Sequence, residues 1–186
     1  MEYIYKEGLT QEEKGAQILD VNVGLPEIDE PALMEEAITG IQAIIDLPLQ
    51  IDTSDGEAME RALRCYNGKP MLNSVNGKKE SMEMVFPLAK KYGAVVVCLC
   101  LDEGGIPETV EGRIAVARKI VDTAASYGIP KKNLVMDALV LTISTGQDNA
   151  MITLETLRRL RYEMGLHTVL GAVSYTHLTL PTICSV

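Results

Sequence analysis

Short runs rich in β-branched residues recur about every 30 residues along this chain, each followed by a helical stretch with one apolar face, and no other feature narrows the possible folds as far. The runs fall near residues 15–23, 48–53, 69–75, 93–101, 133–141 and 167–171. Between the fourth and fifth, "ETVEGRIAVARKIVDTAASYG" puts Val110, Ile114, Ala117, Val121 and Ala124 on one stripe, closed by Gly128 and Pro130. The helix after the first run carries Leu33, Ala37, Ile41 and Ile44, and the last helix Leu154, Leu157, Leu160 and Met164. Strands alternating with helices in this way form a parallel sheet, because a parallel neighbour is reached only through a crossover. Eight such units make a TIM (β/α)8 barrel of roughly 250 residues. A doubly wound open sheet alternates in the same way, but the chain carries no G-x-G-x-x-G or Walker sequence. The expected fold is therefore α/β, an incomplete TIM (β/α)8 barrel with about six of its eight strands.

With 186 residues, 47% hydrophobic and 23% charged, the chain can bury the core of one domain. Its longest fully apolar run, Ala94 to Leu101, is too short for a membrane span, and the start "MEYIYKEGLTQEEK" is acidic with no apolar signal core. A cytoplasmic protein without a membrane partner is expected. The formal charge of -9 repels phosphate backbones and no basic stripe offsets it, which argues against nucleic acid. Four cysteines, Cys65, Cys98, Cys100 and Cys184, make no disulfide framework and suit a reducing compartment. Cys98 and Cys100 alternate on one strand and could form half a metal site. No histidine or second cysteine pair completes it, so a buried reduced pair and no metal are expected.

Polar residues interrupt the strands where burial ought to continue. "GAQILDVNVG" delivers Asp20 and Asn22, "LQIDTSD" Asp52, "PMLNSVNG" Asn73 and Asn76, and "NLVMDALVL" Asp137, each toward the C-terminal part of its run. In a barrel those ends converge on one mouth. Burying carboxylates and amides costs a few kcal/mol each unless a ligand or neighbour satisfies them. One such residue is readily a helix cap, as expected of Asp55 before "GEAMERAL", but four strand ends together point to a shared polar site. Carboxylates accept parallel N–H bonds while amides both donate and accept, so a neutral heterocycle such as a pterin fits them.

The blocks "ILDVNVGLPEIDE", "LQIDTSD", "MLNSVNGKKESMEMVFPLAKKYGA", "DEGGIPET", "LVMDALVLTIST" and "TVLG", in this order from about residue 10 to 171, resemble the pterin-binding folate domain of cobalamin-dependent methionine synthase. The sister family that passes a folate methyl group to a corrinoid iron–sulfur protein shares most of them. Dihydropteroate synthase shares the barrel and an "IDT"-like strand end, but its basic residues for pyrophosphate chemistry have no evident counterparts here. The resemblance implies that Asp52, Asn73 and Asp137 hydrogen-bond the pterin, with Asp20 and Asn22 near the same mouth, and that Asn73 and Asp137 take part in catalysis. It implies a methyltransferase that moves the N5 methyl of 5-methyltetrahydrofolate to cob(I)alamin on a corrinoid-binding domain or protein. From there the methyl reaches homocysteine at a zinc site in a domain not present here.

The chain departs from that pattern at both ends. The family's first strand, with its Glu-Arg and Asn-Pro-Thr-Gly signature, should precede residue 1, and the Asn after the seventh strand is absent. After "HTVLG" the chain reads "AVSYTHLTLPTICSV", of which "VSYTHLTLPT" resembles a transposase-based sequencing adapter read in frame. The expected organisation is a partial pterin-binding barrel over residues 1–172 and a non-native tail over 173–186, leaving His177 and Cys184 without a role. Two readings follow: a methyltransferase fragment, and a module that binds pterin without catalysis. An aldolase-type barrel fits poorly, since no strand-end lysine is available for a Schiff base. With strands missing, exposed parallel edges should leave the isolated chain loosely packed or prone to aggregate.

Overall fold

A computed structural model of the chain describes residues 1–140 and 149–171. The elements run α1 (Glu2–Glu13), β1 (Leu19–Val21), α2 (Glu30–Gln42), β2 (Leu49–Asp52), α3 (Gly56–Cys65), β3 (Met71–Asn76), α4 (Lys79–Tyr92), β4 (Val95–Leu99), α5 (Val110–Ser126), a 3-10 turn (Lys131–Asn133), β5 (Leu134–Asp137), α6 (Asn149–Tyr162) and β6 (His167–Val169). The strands stand in one sheet in chain order, β1-β2-β3-β4-β5-β6. Each expected run thus holds a strand, mostly shorter than the run, although β3 continues one residue past its expected end to Asn76. The expected tail 173–186 lies outside the described residues.

The described residues fall into two compact units, 1–74 with 91–95 and 75–90 with 96–140 and 149–171. In the first, Leu19, Val21, Leu49, Ile51 and Leu72 point from the strands into a core completed by Met34, Ile38 and Ile41 of α2 and Met59 of α3. Register pairs Asp20 with Gln50 and Val21 with Ile51, then Ile51 with Leu72 and Asp52 with Asn73. Asp29 caps α2 by accepting the Ala32 N–H at 3.1 Å, and Asp55 caps α3 as expected, accepting the N–H groups of Glu57 and Ala58. The sequence did not mark α1, whose polar residues show no apolar stripe. It docks on α2 through Gly40, where a Cβ would lie 2.0 Å from the Tyr5 hydroxyl oxygen.

In the second unit, Val96, Cys98, Leu134 and Met136 form the strand side of a core that Val85, Phe86, Ala117, Ile120 and Ala124 close from α4 and α5. Cys98 and Cys100 are buried free thiols, and burial pushes that of Cys100 up to about 12. Burial and the nearby Cys100 raise the Cys98 thiol as well.

Two expected stripes are phased differently. In α2, Ala37 and Ile41 are buried with Met34 and Ile38, whereas Leu33 is half-buried and Ile44, beyond the helix end at Gln42, is 47% exposed. In α6 the buried residues are Thr153, Thr156 and Leu160, and Leu154 is 59% exposed. That helix is turned by one residue because Thr153 serves a buried polar network described below.

Candidate functional site

Parallel alternation decides which side chains share a face in the first unit. Leu19, Val21, Leu49 and Ile51 go to the core, so Asp20, Asn22, Gln50 and Asp52 emerge on the other face. Register then sorts them into rows. Asp20 lies beside Gln50, whose Nε2 donates to Asp20 Oδ1 at 2.5 Å. One step further along the strands Asn22 follows Val21, Asp52 ends β2, and Asn73 is paired with Asp52. Asn22 Nδ2 donates to Asp52 Oδ2 at 3.0 Å, and Asn22 Oδ1 accepts the Gly24 N–H at 3.0 Å, which fixes which way the amide faces. Among the described residues, Asp52 Oδ1 and the Asn73 amide take no side-chain partner.

Electrostatics sets the state of Asp52. Burial raises its carboxyl above the ordinary 3.8, the Asn22 bond lowers it, and the charge of Glu30 raises it again. Glu30 is held by the Thr53 hydroxyl, which also accepts the Asp55 N–H at 3.0 Å. A carboxylate with a vacant oxygen beside a free amide is an acceptor–donor pair, formed where β2 ends beside the middle of β3.

Asp137 ends β5 in the second unit and is half-buried. Its Oδ1 accepts the Leu139 N–H at 2.8 Å; burial raises its carboxyl and that N–H lowers it. Leu139 has φ 62, the left-handed region disfavoured for a branched side chain. Behind it stands Arg113 of α5, whose Nη1 donates to the carbonyls of Ala138 at 2.8 Å and Leu139 at 2.9 Å and to Thr153 Oγ1 at 3.1 Å.

The structure thus brings Asn22, Asp52 and Asn73 into one row, puts Asp20 in the row before it, and gives Asp137 its own strand-end network. Asn76 does not join them. Its Oδ1 accepts the Lys78 N–H at 2.9 Å, so it shapes the turn into α4. Sequence reasoning missed Gln50, although it stands two residues before Asp52 and so shares its face. It also missed Arg113, although 113, 117, 120 and 124 form a helical stripe as regular as the expected one. Among the described residues no group of three His, Cys, Asp or Glu side chains could hold a metal ion, and no helix is long and apolar enough to cross a membrane.

Solved structures show the same arrangement of strands and helices. The dihydropteroate synthase of Xanthomonas albilineans in complex with 7,8-dihydropteroate superposes with a TM-score of 0.74 at 23% identity, covering 91% of this chain and 63% of that one. At that identity the likeness is one of fold, and it defines the class as α/β, an incomplete TIM barrel with six strands among the described residues. The sequence model of the family described as "Pterin binding enzyme" matches residues 2–183, and the chain belongs to that family. Methionine synthases of Mycobacterium leprae and Mycobacterium tuberculosis are 28% identical over 157 residues and 27% identical over 161. These alignments cover 79% and 81% of this chain but only 13% and 14% of those proteins.

Proposed function

We propose that this chain is the folate-binding part of a methyltransferase that takes the N5 methyl group of 5-methyltetrahydrofolate and passes it to cob(I)alamin for methionine synthesis. The row Asn22–Asp52–Asn73 carries the proposal. A reduced pterin presents ring N–H donors beside a carbonyl acceptor, and Asp52 with Asn73 offers the complementary set. Asp137 supplies a second carboxylate, while Asn22 orients Asp52, and Asp20, tied to Gln50, borders the row. The relatedness to methionine synthases supports methyl transfer in particular.

A tertiary amine leaves poorly unless it gains a proton or hydrogen bond as its C–N bond breaks. Asn73 and Asp137 are the groups we assign to that assistance. The cobalamin, carried by a corrinoid-binding domain or protein, supplies the nucleophile, and no residue here is assigned to hold it. Zinc belongs to the homocysteine domain of this scheme, and the reaction to the cytoplasm. The fold likeness to dihydropteroate synthase favours a second reading, pterin binding with another co-substrate.

Titration calorimetry with 5-methyltetrahydrofolate separates these readings. Replacing Asp52 or Asp137 by Ala removes a charge-assisted bond and leaves ligand donors unpaired. Each should cost about 2–3 kcal/mol, roughly 30- to 150-fold in affinity, with the fold retained by circular dichroism. Asn73→Ala should cost about half as much in free energy. Folded Asp variants that bind as tightly as the parent would remove the strand ends from the pterin site, and preference for 7,8-dihydropteroate over methylfolate would select the second reading.

A further inference from the structure

We propose that Arg113 is the positioning residue for Asp137: from within α5 it grips the backbone just beyond β5 and so keeps the Leu139 N–H on the Asp137 carboxylate. The proposal rests on the assignment of Asp137 to the pterin. Arg113 is 0% exposed, and among the described residues it makes no ion pair with an acid. A buried guanidinium loses its hydration, and without a carboxylate it must be compensated by oriented dipoles. Here the compensation is three carbonyls: Nε donates to Pro107 at 2.9 Å, and Nη1 to Ala138 and Leu139. Its Nη2 is left without a partner. The side chain therefore joins the segment before α5 to the strand end, which an aliphatic residue of equal volume would not do.

The grip explains the conformation of Leu139. Its carbonyl is pinned by Arg113 and by the Thr153 hydroxyl at 3.3 Å, and with φ at 62 its N–H turns back onto Asp137. Thr153 occupies a buried position on α6 that apolar periodicity would give to a leucine, which fits a role in the same clamp. Leu99 of β4 and Val169 of β6 are the residues paired with Asp137 in register, and neither titrates. Among the described residues the ionisable groups coupled around the carboxyl are Cys100, which interacts with it, and Arg113, which interacts with Cys100. The Cys100 thiol, at about 12, stays neutral through the acid range. The Leu139 amide is thus a specific reporter of Asp137.

The test follows the Leu139 amide proton shift by NMR through an acid titration of the 15N-labelled 186-residue chain, without ligand. In the parent it should trace the ionisation of the carboxyl. In Arg113→Lys, which keeps the charge but loses the fork, that response should largely vanish, and methylfolate affinity should fall about 5- to 10-fold, the loss of roughly one hydrogen bond. Adding Leu139→Gly, which adopts positive φ without penalty, should recover most of that affinity. A folded Arg113→Lys whose Leu139 amide responds in full overturns the proposal, and so does a double variant no better than Arg113→Lys, since a space-filling arginine would not be rescued by glycine. If Arg113→Lys does not fold, Thr153→Val is read in the same way: a reduced response supports the clamp and a full one overturns it. An uncoupled amide with unchanged affinity supports the clamp and instead removes Asp137 from the pterin site, in which case Asp137→Ala also binds normally.

Discussion

Asp52 and Asp137 end parallel strands, are half-buried, and have carboxyls raised by burial, yet they are held by opposite means. Asp52 is held across the sheet, by the Asn22 side chain one strand away, at a place fixed by register. Asp137 is held along its own chain, by a backbone N–H whose direction depends on a buried arginine from a helix. The first device is local and tolerant, since losing Asn22 frees one oxygen. The second is cooperative, since losing Arg113 frees the carbonyls of Pro107 and Ala138 together and leaves that of Leu139 to the Thr153 hydroxyl alone.

The sharpest way to break this comparison is to remove each holding group and measure stability. Arg113→Ala leaves buried carbonyls unpaired at about 1–3 kcal/mol each, so urea unfolding should show a loss of roughly 3–5 kcal/mol. A loss below about 1 kcal/mol would mean that the two carboxylates are held equally loosely.

Acid affects the two carboxylates alike and has opposite effects on folding and binding. Because their folded-state values are raised above the unfolded one, the stability they contribute is present below the unfolded value and lost as pH rises through the folded values. Ligand binding, which needs the ionised acceptors, runs the other way. Below the raised values, affinity for methylfolate should drop about tenfold per pH unit for each carboxylate required, with a midpoint above 3.8. Calorimetry at a series of pH values checks this, and a midpoint at or below 3.8 would mean that the buried carboxylates are not the acceptors.

Asp55→Ala is the control from the same strand–helix junction. The cap it forms on α3 contributes about 1 kcal/mol to folding, so its thermal midpoint should fall while its methylfolate affinity stays with the parent. The smallest effect belongs to Asn22→Ala, which removes one exposed hydrogen bond. It should weaken binding by no more than about fivefold and raise the Asp52 carboxyl, with Asp137 untouched.

These devices also differ in how far the sequence reveals them. Alternation along "LQIDTSD" and "PMLNSVNG" puts Asp52 and Asn73 on a common face, and the recurring βα spacing gives the parallel order, because period and crossover are properties of sequence. Arg113 sits among "EGRIAVARK", where a basic residue reads as part of a solvated face. Only the carbonyls that turn back on it from residues 107, 138 and 139 make its burial tolerable, and those contacts span up to 26 positions. The phasing of α6 failed for the same reason, since Thr153 takes an inward place for the sake of that arginine. In α1, burial rests on the absence of a side chain at Gly8 and Gly40 rather than on an apolar stripe, and periodicity does not register an absence.

The thiols of Cys98 on β4 and Cys100 just beyond its end have a use beyond packing. Cys98 and Cys100 are fully covered and held in their unreactive protonated form, whereas Cys65 is half-buried. Of these three thiols, a reagent should therefore label Cys65 promptly and reach Cys98 and Cys100 only through rare excursions that part the strands around them. The interval between the two labelling phases, read by mass spectrometry, would serve as a clock for the opening of the sheet, installed by the native sequence and needing no engineered probe.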